Sequence, residues 1–494
     1  MALLKLVSGQ KPREIAARIL QQRSAYGGFI EDLLERALRG ARLSPADRAL
    51  CQEIVYGAVR WQTTLDWLIA RKTDGRPQKP MLQILLRLGL YQIFWLDRIP
   101  GHAAVNETVE LARQNGFGAQ AGFVNALLRG YLREADATGK LLADLKISQP
   151  ALGWSHPEWL VARWQKRWDA ERTAQLLAWN NTPPKTFARV NVLKTDAGKL
   201  LEKWREEGVE YDFVRLNFLG RADLLVGKDA RQRVPADFEN LVLELKSHPP
   251  LAELESFRRG WFYLQDPGTL LAPWVLGPRP GETILDLCAA PGGKTTFIAQ
   301  LMNNEGRIVA IDNSVERLKL LEENRARLGA TCVETVVNDQ NRPHPDPLPQ
   351  EREQPSTTFK TVSGIRLTDR RTTIPPLPGG EGRGEGELFD RILVDAPCSN
   401  TGVMRRRVDL RWRIQPKEIS RLQEGQLSLL KQAALALKPG GVLVYSTCSL
   451  EPEENQEVVK EFLRRCPGFK LESERELLPF VDQVDGAYVA RLKL

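Results

Sequence analysis

The chain has 494 residues, of which 42% are hydrophobic and 27% are charged, as in water-soluble globular proteins with a substantial core. It contains no apolar run long enough to cross a bilayer, and its first residues lack the features of a signal peptide, so we expect a cytoplasmic protein. The length predicts about three domains. The net charge of +8 is compatible with nucleic-acid binding but does not establish it.

The six cysteines and four histidines are scattered along the chain, and no two cysteines form a C-x-x-C pair. A disulfide framework and a zinc site both need closely spaced ligands. We therefore expect neither, and we expect no bound metal.

Residues from Lys11 to about Asp136 have the apolar spacing of helices. The clearest helix start is Ser44, a capping residue that is followed by Pro45 and then by Asp47 in the first turn. Further helices are predicted over residues 81–96, 106–113 and 123–133. The pattern indicates a helical bundle used for packing or docking, without catalytic residues.

Two of these helices, with the sequences AVNETV at 104–109 and FVNALLR at 123–129, resemble helices of NusB-type RNA-binding domains. That resemblance implies a bundle that binds structured RNA. We assign residues 1–145 to an all-α, NusB-like domain.

Residues 146–265 predict a small α+β subdomain. Its elements are a tryptophan-rich helix over 157–168, a strand over 187–193 and a helix over 200–207. Arg189 and Asn191 alternate with apolar residues and therefore share one face of that strand. Such a polar face could contact RNA, or it could simply be solvated.

The third region, residues 266–494, begins with a strand, a glycine turn and a helix. Ile284 to Leu287 form a short apolar run, Pro291 to Gly293 break it, and the following residues to Met302 have helical spacing. Glycines let the backbone approach a ligand closely, and the N–H groups at a helix start are unpaired. The stretch therefore indicates a cofactor-binding turn.

Known turns of this kind differ in their glycine spacing. The phosphate-binding loop has a glycine where this chain has Cys288, and the dinucleotide fingerprint G-x-G-x-x-G is absent. The remaining candidates are a site for S-adenosylmethionine and a plain tight turn without a ligand.

Acidic residues follow the strands in this region. Asp286 lies in the first strand, and the next ones end at Asp312, Asp339 and Asp395. Asp312 lies about 20 residues beyond the turn, where an acidic residue hydrogen-bonds the ribose hydroxyls in nucleotide-binding folds. Their recurrence predicts an α/β Rossmann-like domain with a mostly parallel sheet, whose ligand lies at the carboxyl edge.

A Pro/Gly-rich stretch interrupts this pattern at 341–387. Because it is poor in core residues, we expect a disordered surface insertion that loops out of the sheet.

Two cysteines follow the last two predicted strands, Cys398 after Asp395 and Cys448 after the strand 441–446. Two thiols beside a methyl donor suggest pyrimidine chemistry. A thiolate that adds to C6 of cytosine makes C5 nucleophilic, a carboxylic acid at N3 stabilises the adduct, and a base then removes the C5 proton. Spacing alone does not tell which cysteine is the nucleophile.

Three motifs together resemble the Sun-family RNA cytosine-5 methyltransferases. They are LCAAPGGKT at 287–295, DAPCS at 395–399 and YSTCSLEPEEN at 445–455. The resemblance implies methyl transfer from S-adenosylmethionine to C5 of a cytosine in bacterial 16S ribosomal RNA. It implies Cys448 as nucleophile, Cys398 as the thiol that assists proton removal and release, and Asp395 as the catalytic acid.

The same resemblance implies a set of binding residues. The S-adenosylmethionine site comprises Cys288, Ala289, Ala290, Pro291, Gly292, Gly293, Lys294, Asp312, Asp339 and Asp395. Arg189 and Asn191 match the subdomain of the family that contacts RNA. The insertion at 341–387 departs from the family pattern and places the geometry around Asp339 in doubt.

An arginine run follows the Pro-Cys motif: Arg405, Arg406 and Arg407, with Arg411 and Arg413 beyond them. Contact with RNA phosphates is one interpretation, and a solvated surface run is the other.

We expect a monomer that binds 16S ribosomal RNA, without membrane or metal. Two alternatives remain open: the same chemistry on transfer RNA or another ribosomal site, and a non-catalytic RNA-binding assembly or transcription factor.

Overall fold

The computed structural model describes residues 11–214, 241–337 and 388–494. The chain divides into two compact units: Met1–Pro183 with Met404–Arg413, and Pro184–Val403 with Ile414–Leu494. The predicted insertion at 341–387 and Asp339 lie outside the described residues.

The first unit is helical, as its apolar spacing predicts. Its helices are Pro12–Tyr26, Ile30–Arg39, Pro45–Arg60, Gln62–Lys72, Pro80–Trp95, Gly101–Gln114, Ala121–Arg133, Ala135–Ser148, Pro150–Gly153, Glu158–Arg167, Ala170–Asn180 and Leu410–Arg413. The predicted start at Ser44 is confirmed, because its Oγ accepts a hydrogen bond from the Asp47 N–H at 3.1 Å. Buried side chains such as Leu65, Leu85 and Leu128 form one core for this bundle.

Helices that were predicted for the α+β subdomain lie in this helical unit, which extends to Pro183. Their polar contacts explain why. The Ser155 Oγ accepts a hydrogen bond from the Thr63 N–H at 3.1 Å, and Thr64 Oγ1 donates to the carbonyl of Leu152 at 2.7 Å. These bonds attach the chain around Ser155 to the helix Gln62–Lys72.

A segment from late in the chain, Met404–Arg413, completes the same unit. Val408 lies within the helical core. The carboxylate of Asp409 is fully buried and accepts hydrogen bonds from Arg23 Nε at 2.5 Å and from the Ile30 N–H at 2.7 Å. Since a buried carboxylate without partners would be costly, these contacts hold the segment in place.

The second unit begins with a small antiparallel sheet. Its strands are β1 (Thr186–Val190), β2 (Glu210–Phe213), β3 (Val242–Ser247) and β4 (Phe262–Leu264), in the order β2-β3-β1-β4. The helix Ala197–Glu207 contributes the fully buried Trp204, whose ring packs edge-on against Phe262 of β4. The predicted α+β subdomain is therefore present.

A seven-stranded sheet forms the rest of this unit. Its strands are β5 (Thr283–Leu287), β6 (Arg307–Asp312), β7 (Val333–Val337), β8 (Phe389–Asp395), β9 (Leu437–Thr447), β10 (Lys470–Leu477) and β11 (Ala487–Lys493). The order is β10-β11-β9-β8-β5-β6-β7, with β7, β6, β5, β8 and β9 parallel. The two C-terminal strands are antiparallel, and the sequence analysis did not predict them.

Helices connect and flank these strands. Besides Ala197–Glu207, the second unit has the helices Glu255–Arg258, Leu271–Leu276, Gly293–Leu301, Val315–Leu328, Pro416–Leu435, Gln456–Arg465 and Pro479–Asp482. Successive residues of a strand point to opposite faces of the sheet. Ile284 accordingly packs in the core that includes Phe297, and Leu285 packs in the other core, with Leu430. Both faces of the sheet are covered, as in other parallel α/β sheets.

In the described parts of the chain, no helix combines the length and apolarity needed to span a membrane.

Candidate functional site

The glycine turn after β5 has the geometry that the sequence predicts. Gly292 has a φ of +98°, which side chains disfavour, and a Cβ there would lie 2.9 Å from Leu321 Cγ. The helix Gly293–Leu301 then begins with no hydrogen bond from a capping side chain. Its first N–H groups are therefore available to a ligand at the carboxyl edge of the sheet.

Asp312, at the end of β6, anchors this turn. Its Oδ2 accepts a hydrogen bond from the Ala290 N–H at 3.1 Å, and its Oδ1 accepts one from the Ser314 N–H at 3.0 Å. Arg317, which the sequence analysis missed, donates to the carbonyl of Ala290 and lies 3.9 Å from the Asp312 carboxylate. Ala290 of the predicted binding turn is thus held by an acid from the neighbouring strand and a base from the neighbouring helix.

A third carboxylate lies beneath the turn. Asp286 is fully buried in β5, where Thr295 Oγ1 donates to its Oδ2 at 2.7 Å. Burial raises the pKa of Asp286 to about 7, with the Thr295 hydrogen bond opposing the rise. Burial and the charges of Asp312, Asp395 and Asp286 raise the pKa of the Cys288 thiol, so Cys288 stays protonated. Three acids therefore surround the turn.

Lys294, in the first turn of the helix, forms an ion pair with Asp395 at the end of β8. Their Nζ and Oδ2 atoms lie 2.5 Å apart, and Ser446 Oγ donates to the other carboxylate oxygen at 2.8 Å. Burial alone would lower the pKa of Lys294, but the pairing with Asp395 and the nearby Cys448 outweigh it and raise that pKa. Lys294 is accordingly a fixed positive charge between Asp395 and Cys448.

The two predicted cysteines lie together. β8 and β9 pair in parallel up to Asp395 and Ser446, so the loops that follow leave the sheet side by side. The Sγ atoms of Cys398 and Cys448 are 3.1 Å apart, and the Cys448 N–H points to Cys398 Sγ at 3.3 Å. The structure therefore joins the glycine turn, the Lys294–Asp395 pair and both thiols at one edge of the sheet.

The two thiols differ in their surroundings. Cys398 is buried, whereas Cys448 is partly exposed. The contact with Cys448 and burial raise the pKa of Cys398 well above that of a free thiol. Cys448 Sγ donates to Asn400 Oδ1 at 2.9 Å. Asn400 is a site residue that the sequence analysis missed, although an asparagine beside Ser399 in a tight loop was a signal for its positive φ of 59°.

Two predicted RNA contacts, Arg189 and Asn191, are corrected by the structure. Both side chains are fully buried. Arg189 donates to the Gly293 carbonyl at 3.0 Å and to Thr296 Oγ1 at 3.1 Å. Asn191 donates to the Gly260 and Leu328 carbonyls at 2.7 and 2.8 Å. The predicted polar face of β1 is covered by the helices Gly293–Leu301 and Val315–Leu328, so these side chains bind protein atoms instead.

The arginine run is also corrected in part. Arg405 is buried and its guanidinium lies over the ring of Trp179, 4.0 Å from its centroid. Arg411 is fully buried and donates to the Asn180 carbonyl at 2.9 Å and to Asn181 Oδ1 at 2.7 Å. These two arginines therefore stabilise the helical unit. Arg406 is half-buried and Arg407 is exposed, and their contact with RNA remains a prediction.

Among the described residues, no group of three or more histidine, cysteine, aspartate or glutamate side chains is arranged to hold a metal ion.

Comparison with family models matches three parts of the chain. A family described as 16S rRNA methyltransferase RsmB/F matches residues 273–352 and 366–493, and the NusB family matches residues 10–133. A ferredoxin-like domain of RsmF/B-like methyltransferases matches residues 156–216. The matches follow the order of the predicted regions.

Whole-length relatives agree with these matches. The chain is 34% identical to a probable ribosomal RNA small subunit methyltransferase B of Synechocystis, over 97% of this chain and 99% of that one. It is 33% identical to ribosomal RNA small subunit methyltransferase B of Vibrio vulnificus, over 97% and 98% of the two chains. A crystal structure of a protein called PH0851 covers 98% of this chain and 99% of its own with a TM-score of 0.67 and 24% identity, which supports the fold. The chain belongs to the RsmB/F family of 16S rRNA methyltransferases, with a NusB domain at its front.

Proposed function

We propose that this protein transfers a methyl group from S-adenosylmethionine to C5 of a cytosine in 16S ribosomal RNA, through a covalent bond between Cys448 and C6 of the base. Cytosine 967 is the position that the family resemblance implies. The observation that carries the proposal is the 3.1 Å contact between the Cys398 and Cys448 thiols beside the Lys294–Asp395 ion pair.

The residues around the glycine turn fit S-adenosylmethionine. The uncapped helix start offers N–H groups to a carboxylate or a ribose oxygen. Asp312 and Asp395 supply negative charge that suits the ammonium and sulfonium groups. Bound there, S-adenosylmethionine would supply an electrophilic methyl group. The predicted contact from Asp339 stays a proposal, because that residue lies outside the described part of the chain.

Cys448 is proposed as the nucleophile because it is the more exposed thiol and lies near the Lys294 ammonium. A nearby positive charge favours the thiolate, which is the reactive form. Addition of the thiolate to C6 breaks the C5–C6 double bond and places electron density on C5 and N3. C5 then becomes nucleophilic enough to take up a methyl group.

Asp395 is proposed to bind the base at N3 as the adduct forms. Lys294 and Ser446 hold both carboxylate oxygens, so the side chain is fixed before RNA arrives. As electron density reaches N3, this atom can take up a proton from solvent, and the pre-oriented carboxylate then accepts a charge-assisted hydrogen bond from the new N3–H. Asp395 is thus proposed both to bind the cofactor and to contact the base during catalysis.

Cys398 is proposed to act after methyl transfer. The C5 proton must leave before the bond between Cys448 and C6 can break and restore the aromatic ring. Cys398 is buried next to Cys448 and is protonated at neutral pH. It is therefore placed to protonate the departing Cys448 sulfur or to relay the C5 proton, whereas it is poorly suited to attack C6 itself.

The NusB domain and the names of the relatives support ribosomal RNA as the substrate. Transfer RNA or a different ribosomal site is the alternative with the same chemistry. A purely structural RNA-binding role is disfavoured by the assembled thiol pair, which such a role does not need.

Incubation of the protein with radiolabelled S-adenosylmethionine and unmethylated 16S rRNA tests the proposal, with transfer RNA as the parallel substrate. Label in 16S rRNA that digests to 5-methylcytidine supports it. Label only in transfer RNA favours the alternative substrate, and an absence of label in either RNA or in assembled small subunits overturns the enzymatic role.

A further inference from the structure

A buried carboxylate, Glu454, lies against both cysteine loops. It ends the short turn Pro452–Glu454 that follows β9, and its side chain is fully buried. Its Oε1 accepts hydrogen bonds from the Ser399 N–H at 2.8 Å and from Gln426 Nε2 at 3.0 Å. Its Oε2 accepts from Ser449 Oγ at 2.5 Å and from Ser399 Oγ. The sequence analysis assigned Glu454 no role.

The two serines connect this carboxylate to the thiols. Ser399 directly follows Cys398 and Ser449 directly follows Cys448. Their hydroxyl oxygens are 3.0 Å apart. One carboxylate therefore fixes the residue next to each cysteine, and a change at Glu454 is transmitted to both thiols.

The backbone ladder does not reach the cysteines. The register of β8 and β9 ends with Asp395 opposite Ser446, and the Ala396 N–H bonds to the Ser446 carbonyl at 2.9 Å. Beyond that point the Gly402 N–H donates to the Cys448 carbonyl at 2.9 Å. Side-chain hydrogen bonds make the remaining contacts between the two cysteine loops. Glu454 accepts more of these hydrogen bonds than either Ser399 or Ser449.

The charge of Glu454 acts on the sulfur atom of Cys398. Its negative charge contributes to raising the pKa of Cys398, behind the larger effects of the Cys448 contact and burial. Burial also raises the pKa of Glu454 itself, while the bonds from Ser399, Ser449 and Gln426 oppose that rise. These donors all favour the carboxylate form, because a carboxylate only accepts hydrogen bonds.

We propose that Glu454 is a positioning residue for the methyl-transfer reaction: its reach sets the spacing of Cys398 and Cys448, and its negative charge makes the Cys398 thiol less reactive. The inference rests on the proposed function for its meaning, but the effect of the Glu454 charge on thiol reactivity is measurable without RNA or S-adenosylmethionine.

The charge is tested by alkylation of the folded full-length protein with iodoacetamide at pH 8, followed by peptide mass spectrometry. In the wild type, Cys448 should react faster than Cys398. Glu454→Gln should raise the rate at Cys398 several-fold, because loss of the nearby negative charge removes one of the causes that raise the pKa of this thiol. Glu457→Gln is the matched control, because Glu457 is an exposed glutamate three residues later and its loss should leave both rates unchanged.

The reach is tested by Glu454→Asp, which keeps the charge and shortens the side chain by one methylene group. Cys398 alkylation should stay within about twofold of wild type, while kcat falls by about tenfold or more with little change in the KM for S-adenosylmethionine. If Glu454→Gln does not fold, as judged by circular dichroism and thermal melting, Glu454→Asp carries the test alone.

Two results overturn the inference: an unchanged Cys398 rate in folded Glu454→Gln, or unchanged kcat in Glu454→Asp. The proposed function is tested by a different result: it is contradicted if the wild-type protein transfers no methyl group to RNA. Glu454→Gln could increase alkylation of Cys398 although the wild-type protein does not methylate RNA. That result would support the effect of Glu454 on the thiols and contradict the proposed methyl transfer.

Discussion

The sulfur atoms of Cys398 and Cys448 lie 3.1 Å apart, although the two residues are separated by 50 positions in the chain. They meet because β8 and β9 are parallel neighbours whose carboxyl ends open onto the same edge of the sheet. Lys294 and Asp395 lie at that edge as an ion pair. A pair of thiols beside a fixed positive charge suits a reaction in which one sulfur is the nucleophile and the other transfers a proton.

Replacement of Cys448 by alanine should abolish methyl transfer. Loss of a covalent nucleophile leaves no route to activate C5, so we expect a decrease in kcat of roughly 10⁴-fold or more. The Kd for S-adenosylmethionine, measured by isothermal titration calorimetry, should change by less than about twofold. Retained methylation in Cys448→Ala would contradict the assignment.

Replacement of Cys398 by alanine should instead trap an intermediate. Attack by Cys448 and methyl uptake still proceed, but proton removal and release are impaired, so protein bonded to RNA should accumulate in the presence of S-adenosylmethionine. A denaturing gel detects it as a nuclease-sensitive band of low mobility. The variant that lacks both thiols is the control and should give no such band. A band in Cys448→Ala alone would mean that the two roles are reversed.

Asp286 should make stability depend on pH in the cofactor-free protein. Its pKa is raised from 3.8 to about 7 on folding. The folded state then binds more protons than the unfolded state between about pH 4 and pH 7, so this contribution to stability is present at low pH and is lost as pH rises through that window. Three pKa units correspond to about 4 kcal/mol, as an order of magnitude.

Urea denaturation of wild type and Asp286→Asn at pH 5 and pH 8 measures this effect. The neutral amide should remove the cost of burying the Asp286 charge. The free energy of unfolding of the variant should therefore exceed that of the wild type at pH 8, and by a smaller amount at pH 5. Equal differences at the two pH values would show that Asp286 does not titrate in this range.

Arg411 should matter for stability and not for RNA affinity. Its guanidinium is fully buried and bonds the Asn180 carbonyl and Asn181 Oδ1 within the helical unit. Arg411→Met leaves these acceptors unpaired and should lower the free energy of unfolding by about 2–4 kcal/mol. Thermal melting and RNA binding at several salt concentrations measure both properties.

Arg407 provides the comparison for Arg411, since it is exposed in the same segment. Arg407→Ala should change stability by less than about 0.5 kcal/mol. If Arg407 contacts a phosphate, its removal should lower the slope of the logarithm of the RNA-binding constant against the logarithm of the salt concentration by about one. A salt dependence that falls only in Arg411→Met would show that Arg411, and not Arg407, contacts RNA phosphates.

Arg189 should act on the glycine turn. It donates to the carbonyl of Gly293 and to Thr296 Oγ1 at the start of the helix. Arg189→Met should loosen that helix start, so we expect S-adenosylmethionine to bind about tenfold more weakly in calorimetry. RNA affinity without cofactor should stay unchanged, and a selective loss of RNA affinity would restore Arg189 as an RNA contact.

Local patterns predicted much of the second unit. β6 and β8 end at Asp312 and Asp395, as predicted, and β5 starts one residue before the predicted apolar run and ends with it at Leu287. These strands are buried on both faces and therefore appear as uninterrupted apolar runs. Ser44 was predictable for a similar reason, because a capping residue acts within its own turn.

Features that depend on distant parts of the chain were not predictable in this way. Arg411 has the composition of an exposed basic run, and its burial follows only from the carbonyls of residues 180 and 155 that meet it in the fold. Arg189 alternates as a surface residue would, but the helix start at Gly293 covers it. Glu454 belongs to an acidic cluster that looks solvated in the sequence, but it is buried and accepts hydrogen bonds from two serines on separate loops.

The bond between Cys448 and the base is tested most directly by peptide mapping of a trapped complex. Wild-type protein is incubated with S-adenosylmethionine and 16S rRNA containing 5-fluorocytidine, whose fluorine replaces the proton that must leave C5. After digestion with nuclease and protease, mass spectrometry locates the attached nucleotide. We expect it on the peptide that contains Cys448. A nucleotide on Cys398, or normal methylation of ordinary RNA with no nucleotide on either cysteine in the trapped sample, would contradict the account.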